Sequence, residues 1–61
     1  MKFWVLFRAP WTNGRWVPWS KPFATEADAR RAIAARKAES PCSETERMVA
    51  TLTRGVYWEV E

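Results

Sequence analysis

The most constraining feature of this sequence is an alanine-rich segment, residues 25–39, which predicts a helix with a nearly smooth apolar face. Along its apolar stripe Ala29 and Ala32 are small, and only Ile33 is large. Such a face lets a helix lie close to a sheet, but the bulk of the core must then come from the strands. The chain has five Trp residues, and none lies in the helical segment, so we expect strand Trp side chains to supply that bulk.

The boundaries of this helix are marked by local signals. Thr25 carries a hydroxyl that can cap the first turn, and Asp28 occupies the capping-box position three residues later. Glu26 and Arg30 form a favourable i,i+4 pair. The helix is expected to run to about Glu39 and to stop before the proline that follows.

Four further segments have the composition of strands, and they are Lys2–Arg8, Arg15–Phe23, Glu46–Thr53 and Val56–Val60. The first has apolar residues on both faces, which is typical of a central strand. The second contains Pro18 and Pro22, which cannot donate to a ladder, so we expect an edge strand or an irregular arm. Asn13-Gly14 and Arg54-Gly55 predict tight turns.

The order of these elements predicts the fold. We expect one α+β domain spanning residues 1–61, a four-stranded, mainly antiparallel sheet with one helix packed on one face, in the order β-β-α-β-β. Trp4, Trp16 and Trp58 are expected in the core. Trp11 and Trp19, which lie beside turn residues and prolines, are expected to be exposed.

The residue inventory argues against catalysis. The absence of His and the single Cys42 exclude a His-dependent triad, a Cys-His pair, a His/Cys zinc site and an internal disulfide. The carboxylate pairs Glu44 with Glu46 and Glu59 with Glu61 lie near the ends of the final hairpin, where solvent is expected to surround them. We therefore expect no enzyme, no metal and no cofactor.

The same inventory bears on the compartment. No apolar run reaches the roughly 18 residues of a membrane span, and no signal-peptide pattern is present. A lone Cys fits a reducing environment. We expect a cytoplasmic protein with no membrane partner.

Charge and aromatic residues concentrate in the first part of the chain. Residues 1–24 contain four basic residues and no acidic one, whereas residues 41–61 contain two basic and four acidic residues. Such asymmetry can steer a partner. The candidate contact residues are Trp11, Arg15, Trp19 and Lys21, with Arg8 and Arg30 in support. Trp and Arg are common in protein-binding hot spots, and aromatic residues beside cations also stack bases and hold phosphates, so both partner classes stay open.

The stretch from Gly14 to Ile33 supports two resemblances. An extended segment ends in Phe23-Ala24-Thr25, a helix follows with Asp28 and Ala29, and a strand then returns. With the closing hairpin at Arg54-Gly55, this arrangement resembles small phage-encoded inhibitors, such as a short inhibitor of host RNA polymerase and β-β-α-β-β anti-CRISPR proteins. That resemblance implies a rigid, non-catalytic protein that binds a host protein or nucleoprotein complex.

The same stretch also resembles the arm-type DNA-binding domain of some phage integrases, in which a three-stranded sheet enters the major groove. That resemblance implies that Arg8, Arg15 and Lys21 lie on the reading strands and contact DNA. This chain ends in an acidic hairpin and has fewer Lys and Arg residues than those domains usually carry.

Taken together, these patterns favour a phage-type, anti-CRISPR-like inhibitor acting in the host cytoplasm, with a nucleic-acid-binding module for DNA or RNA as the alternative. A third class, a homodimer or other oligomer, stays open because the edge strands can pair between chains.

Overall fold

The computed structural model describes residues 2–39 and 44–60 and contains four strands and one α-helix. The strands are β1 (Phe3–Arg8), β2 (Val17–Phe23), β3 (Glu46–Thr53) and β4 (Val56–Glu59), and the helix is α1 (Glu26–Glu39). A single 3-10 turn, Pro10–Thr12, precedes β2. The order β-β-α-β-β and the α+β class predicted from the sequence are confirmed.

The four strands form one antiparallel sheet in the order β2-β1-β3-β4. β1 therefore lies between two neighbours, as its two apolar faces predicted. Val5 pairs with Trp19 of β2 on one side and with Val49 of β3 on the other. Because paired residues share a face, this register defines which side chains lie under the helix.

β2 is an edge strand, and its prolines explain its position. Pro18 lies opposite Leu6, and Pro22 falls where the β1–β2 register shifts between Phe3 and Val5. Within this irregular stretch Ser20 has a φ of 67°, in the left-handed region. A residue without an N–H is tolerated at an edge or a bulge, and β2 provides both.

The start of α1 follows the predicted cap. The Asp28 backbone N–H donates to the Thr25 Oγ1 at 3.1 Å, which satisfies one of the free donors of the first turn. The reciprocal capping-box bond is absent from the described contacts, since the Asp28 carboxylate pairs with Arg31 instead. Arg30 Nε donates to Glu26 Oε2 at 2.8 Å, as expected for the i,i+4 pair.

The core under the helix is small and built as the alanine-rich face predicts. Val5, Ala29 and Val49 are buried at its centre. Bulkier, partly buried side chains surround them, and these are Phe3, Trp19, Phe23, Ile33 and Val60. The helix contributes one small buried residue, so the strands supply most of the volume.

The face of the sheet without the helix also buries apolar side chains. Leu6 and Ala50 are fully buried there, although no described helix covers them. Trp4 packs edge-on against Tyr57, with ring centroids 5.9 Å apart. Aromatic side chains lying along this face take the part that a second layer plays in larger domains.

The Trp residues are not distributed as the sequence predicted. Trp58, expected in the core, is 61% exposed, so that prediction is wrong. Trp4 and Trp16 are only half-buried, and Trp19, expected to be exposed, is half-buried against the core. The reason is the placement of α1, which packs over β1, β2 and β3, so that Trp19 of β2 lies beside the helix. Trp58 lies on the edge strand β4.

Candidate aromatic–arginine pocket

A pocket of about 240 Å³ opens on the helix side of the sheet. It combines aromatic and aliphatic walls with two guanidinium groups. Its lining residues are Val5, Phe7, Trp11, Trp19, Arg36, Thr45 and Arg47, and we call it the aromatic–arginine pocket.

Strand alternation and register place most of this lining. Val5 and Phe7 alternate along β1 on the helix side. Trp19 lies opposite Val5, and Arg47 lies opposite Phe7, so four lining residues form two adjacent cross-strand pairs. Arg36 comes from the last part of α1, where its long side chain reaches the same pocket.

Trp11 reaches the pocket from the connection between β1 and β2. Three hydrogen bonds join Ala9 and Thr12 on either side of it, at 3.0 Å from the Thr12 N–H to the Ala9 C=O, 3.1 Å from the Ala9 N–H to Thr12 Oγ1 and 2.8 Å from Thr12 Oγ1 to the Ala9 C=O. Asn13 and Gly14 then turn the chain with φ values of 56° and 77°. This turn holds Trp11 on the pocket while leaving it 64% exposed.

The two pocket arginines differ from other arginines of this domain in their pairing. Arg8, Arg30 and Arg31 each pair with a carboxylate, on Glu46, Glu26 and Asp28 respectively. Across residues 2–39 and 44–60, neither Arg36 nor Arg47 has an ion-pair partner. A guanidinium group presents up to five fixed donors, so this end of the domain offers unused donors beside an aromatic surface.

The candidate contact residues separate into two groups. Trp11 and Trp19 line the same pocket. Arg15 and Lys21 are exposed on the β2 side of the domain but do not line it. The pocket therefore joins two of the four main candidates, and the other two offer charge at the surface.

Arg8 and Arg30 make contacts within the fold. Arg8 Nε donates to Glu46 Oε2 at 2.6 Å, and its guanidinium carbon lies 4.8 Å from the Trp16 ring centroid. These contacts lie on the face opposite the pocket, where Arg8 and Glu46 are cross-strand partners. Arg30 pairs with Glu26 and also donates to the Val60 C=O at 3.4 Å. Both side chains remain accessible enough to support a partner contact.

Sequence reasoning missed Phe7, Thr45 and Arg47 as site residues. Arg47 left a recognisable signal, because strand alternation places it on the same face as the buried Val49. A charged side chain on the core face of a strand needs either a partner or an opening to solvent. Arg36 was considered only for its aliphatic stem, whereas its guanidinium end is exposed at the pocket.

The other candidate groups do not assemble into a reactive site in the described part of the chain. Cys42 and Glu61 lie outside the described residues. Glu46 is paired with Arg8 rather than with Glu44. Residues 2–39 and 44–60 contain no cluster of His, Cys, Asp or Glu that could hold a metal ion. No helix in these ranges has the length and apolarity to cross a membrane.

Comparison with known proteins adds no further constraint. No family model, no curated protein and no solved structure matches this chain. The aromatic–arginine pocket is therefore interpreted from its own geometry.

Proposed function

We propose that this chain is a small, non-enzymatic, phage-type binding protein that occupies and blocks a host protein or nucleoprotein complex in the host cytoplasm. The aromatic–arginine pocket is its main contact surface in this proposal. The observation that carries it is that Trp11 and Trp19 line one pocket together with two arginines unpaired within the described residues. Anti-CRISPR activity is the specific form of inhibition that the architecture suggests.

The size of the pocket favours a single side chain as its occupant. At about 240 Å³ it is below the roughly 300–1,000 Å³ typical of small-molecule sites. A side chain projecting from a partner needs no larger cavity, and its neighbours in the partner extend over the surrounding surface. Trp and Arg are the residue types that most often dominate such contacts.

The charge of the pocket favours an acidic segment of the partner. Arg36 and Arg47 can accept a carboxylate, and Trp11 offers a large exposed ring for the apolar part of the same segment. Arg15 and Lys21 extend the positive surface on the β2 side. We therefore infer a partner segment in which an apolar or aromatic residue lies beside Asp or Glu.

Nucleic-acid binding is the second candidate, and the exposed Trp11 ring beside unpaired cations is the observation that favours it. Arg8 fits this candidate less well, because it is already paired with Glu46 and lies over Trp16. Phosphate contacts release counterions, so binding to a mixed-sequence DNA duplex would weaken steeply as salt rises. Salt-insensitive binding of the captured partner would favour the protein interface.

The test is affinity capture from a nuclease-treated bacterial lysate with three forms of the tagged chain. The wild type is compared with Arg36→Gln/Arg47→Gln and with Lys37→Gln/Arg54→Gln, which removes the same charge from exposed positions outside the pocket. We expect a defined protein complex with the wild type and the control pair, and its loss with the pocket pair.

Two results would contradict the proposal. Equal capture by both double variants would show that the pocket arginines are not the contact. Loss of every captured protein on nuclease treatment, with recovery of nucleic acid in its absence, would favour the DNA- or RNA-binding candidate.

A further inference from the structure

The two edges of the sheet differ in how they are protected against further pairing. β2 carries Pro18 and Pro22 and an irregular stretch at Ser20, all features that discourage strand addition. β4 has no proline, and its pairing with β3 is regular from Val56 to Glu59. Across residues 2–39 and 44–60, no strand pairs with the outer edge of β4.

The backbone groups that β4 leaves free can be assigned from the ladder. The Val60 N–H donates to the Val49 C=O at 2.8 Å, so even-numbered residues of this segment bond toward β3. Hydrogen-bonding direction alternates along an antiparallel strand, which turns the N–H and C=O groups of Tyr57 and Glu59 outward. An extended strand with outward-facing donors and acceptors is a template for another strand.

The side chains of this edge are also unusually apolar for a solvent-exposed strand. Val56 is 50% exposed and Trp58 is 61% exposed, and both lie on the helix side of the sheet. Leu52, on the neighbouring strand, is 43% exposed. Exposed apolar side chains beside a free strand edge mark an interaction surface.

We propose that a second copy of this chain adds antiparallel to β4, so that Trp58 lies opposite Trp58 of the second copy and the two sheets become one. Two-fold pairing of this kind brings residues of the same face together. It places Val56 opposite Val60 of the second copy and Tyr57 opposite Glu59 of the second copy. The apolar row thus meets itself, and each Glu59 carboxylate faces a phenol hydroxyl.

The chemistry of β4 favours this register over its neighbours. A pairing centred on Glu59 would set two carboxylates directly opposite each other, which is destabilising. A pairing centred on Tyr57 would set Glu59 against Gly55, which offers no side chain. The Trp58-centred pair is a non-hydrogen-bonded one, in which side chains approach most closely, and it adds an aromatic contact.

The small size of the edge sets the expected strength. β4 is four residues long, so the interface falls in the range below about 1,200 Å² that is typical of weak association. The dimer is therefore concentration-dependent. This surface is separate from the aromatic–arginine pocket, with which it shares no residue, so the two proposals can fail independently.

Sedimentation velocity over concentrations from about 10 µM to about 1 mM tests the dimer, since that span brackets a weak dissociation constant. The decisive variant is Glu59→Pro, which removes an outward N–H that the ladder with β3 does not use, and Glu59→Ala is its matched control. We expect the wild type and Glu59→Ala to dimerise with dissociation constants within about threefold, and Glu59→Pro to be at least about tenfold weaker. Far-UV circular dichroism checks that both variants fold.

A wild type that stays monomeric across this range would overturn the proposal, as would a folded Glu59→Pro variant that dimerises as well as Glu59→Ala. The register is tested by oxidative cross-linking in a Cys42→Ser background. Trp58→Cys places two thiols opposite each other, whereas Val56→Cys does not. Faster cross-linking of Val56→Cys than of Trp58→Cys would overturn the Trp58-centred register.

Discussion

Arg47 lies directly opposite Phe7 in the β1–β3 ladder, on the face of the sheet that carries the helix. It thus brings a guanidinium group to the edge of the core beside an aromatic ring. Among residues 2–39 and 44–60 no carboxylate pairs with it. Its position, together with Trp11, Trp19 and Arg36 around the same pocket, is the basis of the proposed partner contact.

Removing the charge of the pocket should weaken binding without unfolding the domain. Arg36→Gln/Arg47→Gln is expected to reduce affinity for the captured partner by at least about tenfold, since charge-assisted contacts at an interface each contribute substantially. The thermal midpoint should change by only a few degrees, because neither guanidinium has an ion pair to lose in the described structure.

Titration calorimetry and thermal melts of the purified variant measure the two quantities. The Lys37→Gln/Arg54→Gln pair controls for the loss of two positive charges. A pocket variant that melts far below this control would assign the arginines to stability rather than to binding.

The two pocket Trp residues should differ in what their truncation costs. Trp11→Ala is expected to abolish partner binding and leave stability nearly unchanged, because this ring is 64% exposed. Trp19→Ala should lower both, since Trp19 packs against the Val5, Ala29 and Val49 cluster and its removal leaves a cavity costing about 2 kcal/mol.

Denaturant unfolding of the two single variants measures this difference. Equal stability of Trp11→Ala and Trp19→Ala would contradict the assignment of Trp19 to the core. It would favour the simpler expectation from sequence that both rings are exposed.

The β3–β4 turn offers a stabilising substitution. Arg54 has a φ of 53° and is followed by Gly55 at 77°, which are nearly the values of Asn13 and Gly14 at 56° and 77°. Asn adopts this left-handed conformation more readily than Arg, so Arg54→Asn should raise the free energy of unfolding by about 0.5–1 kcal/mol.

Thermal melting checks this expectation, with Arg54→Ala as the comparison that removes the charge without the conformational benefit. Arg54→Asn should melt above the wild type and Arg54→Ala at or below it. Equal rises in both variants would attribute the gain to charge removal.

The helix cap provides a separate test of local structure. Thr25→Ala removes the acceptor of the Asp28 N–H and is expected to destabilise the domain by about 1 kcal/mol. Thr25→Ser keeps the hydroxyl and should lie close to the wild type in chemical denaturation. Equal losses in both variants would show that the methyl group of Thr25, rather than the cap, contributes the stability.

The sequence predicted the fold well where local rules dominate. The cap at Thr25, the positive-φ turns at Asn13-Gly14 and Arg54-Gly55, and the edge position of the proline-containing β2 all followed from single residues. These features depend on backbone chemistry within a few positions, which the sequence states directly.

The burial of the Trp residues was not predictable in the same way. Trp19 and Trp58 both alternate with neighbours on a strand, and only the crossing of α1 over β1, β2 and β3 decides which of them is covered. The pocket depends on the same long-range placement, because it joins Trp11, Arg36 and Arg47 from three separate parts of the chain.

The most direct measurement of the central claim is a titration of the ¹⁵N-labelled protein with the captured partner, observed at the indole N–H signals of its five Trp residues. Our account predicts that the signals of Trp11 and Trp19 shift or broaden on binding, while those of Trp4, Trp16 and Trp58 stay close to their free positions. Perturbation of Trp4 and Trp16 with unchanged Trp11 and Trp19 signals would contradict it and would move the partner contact to the opposite face of the sheet.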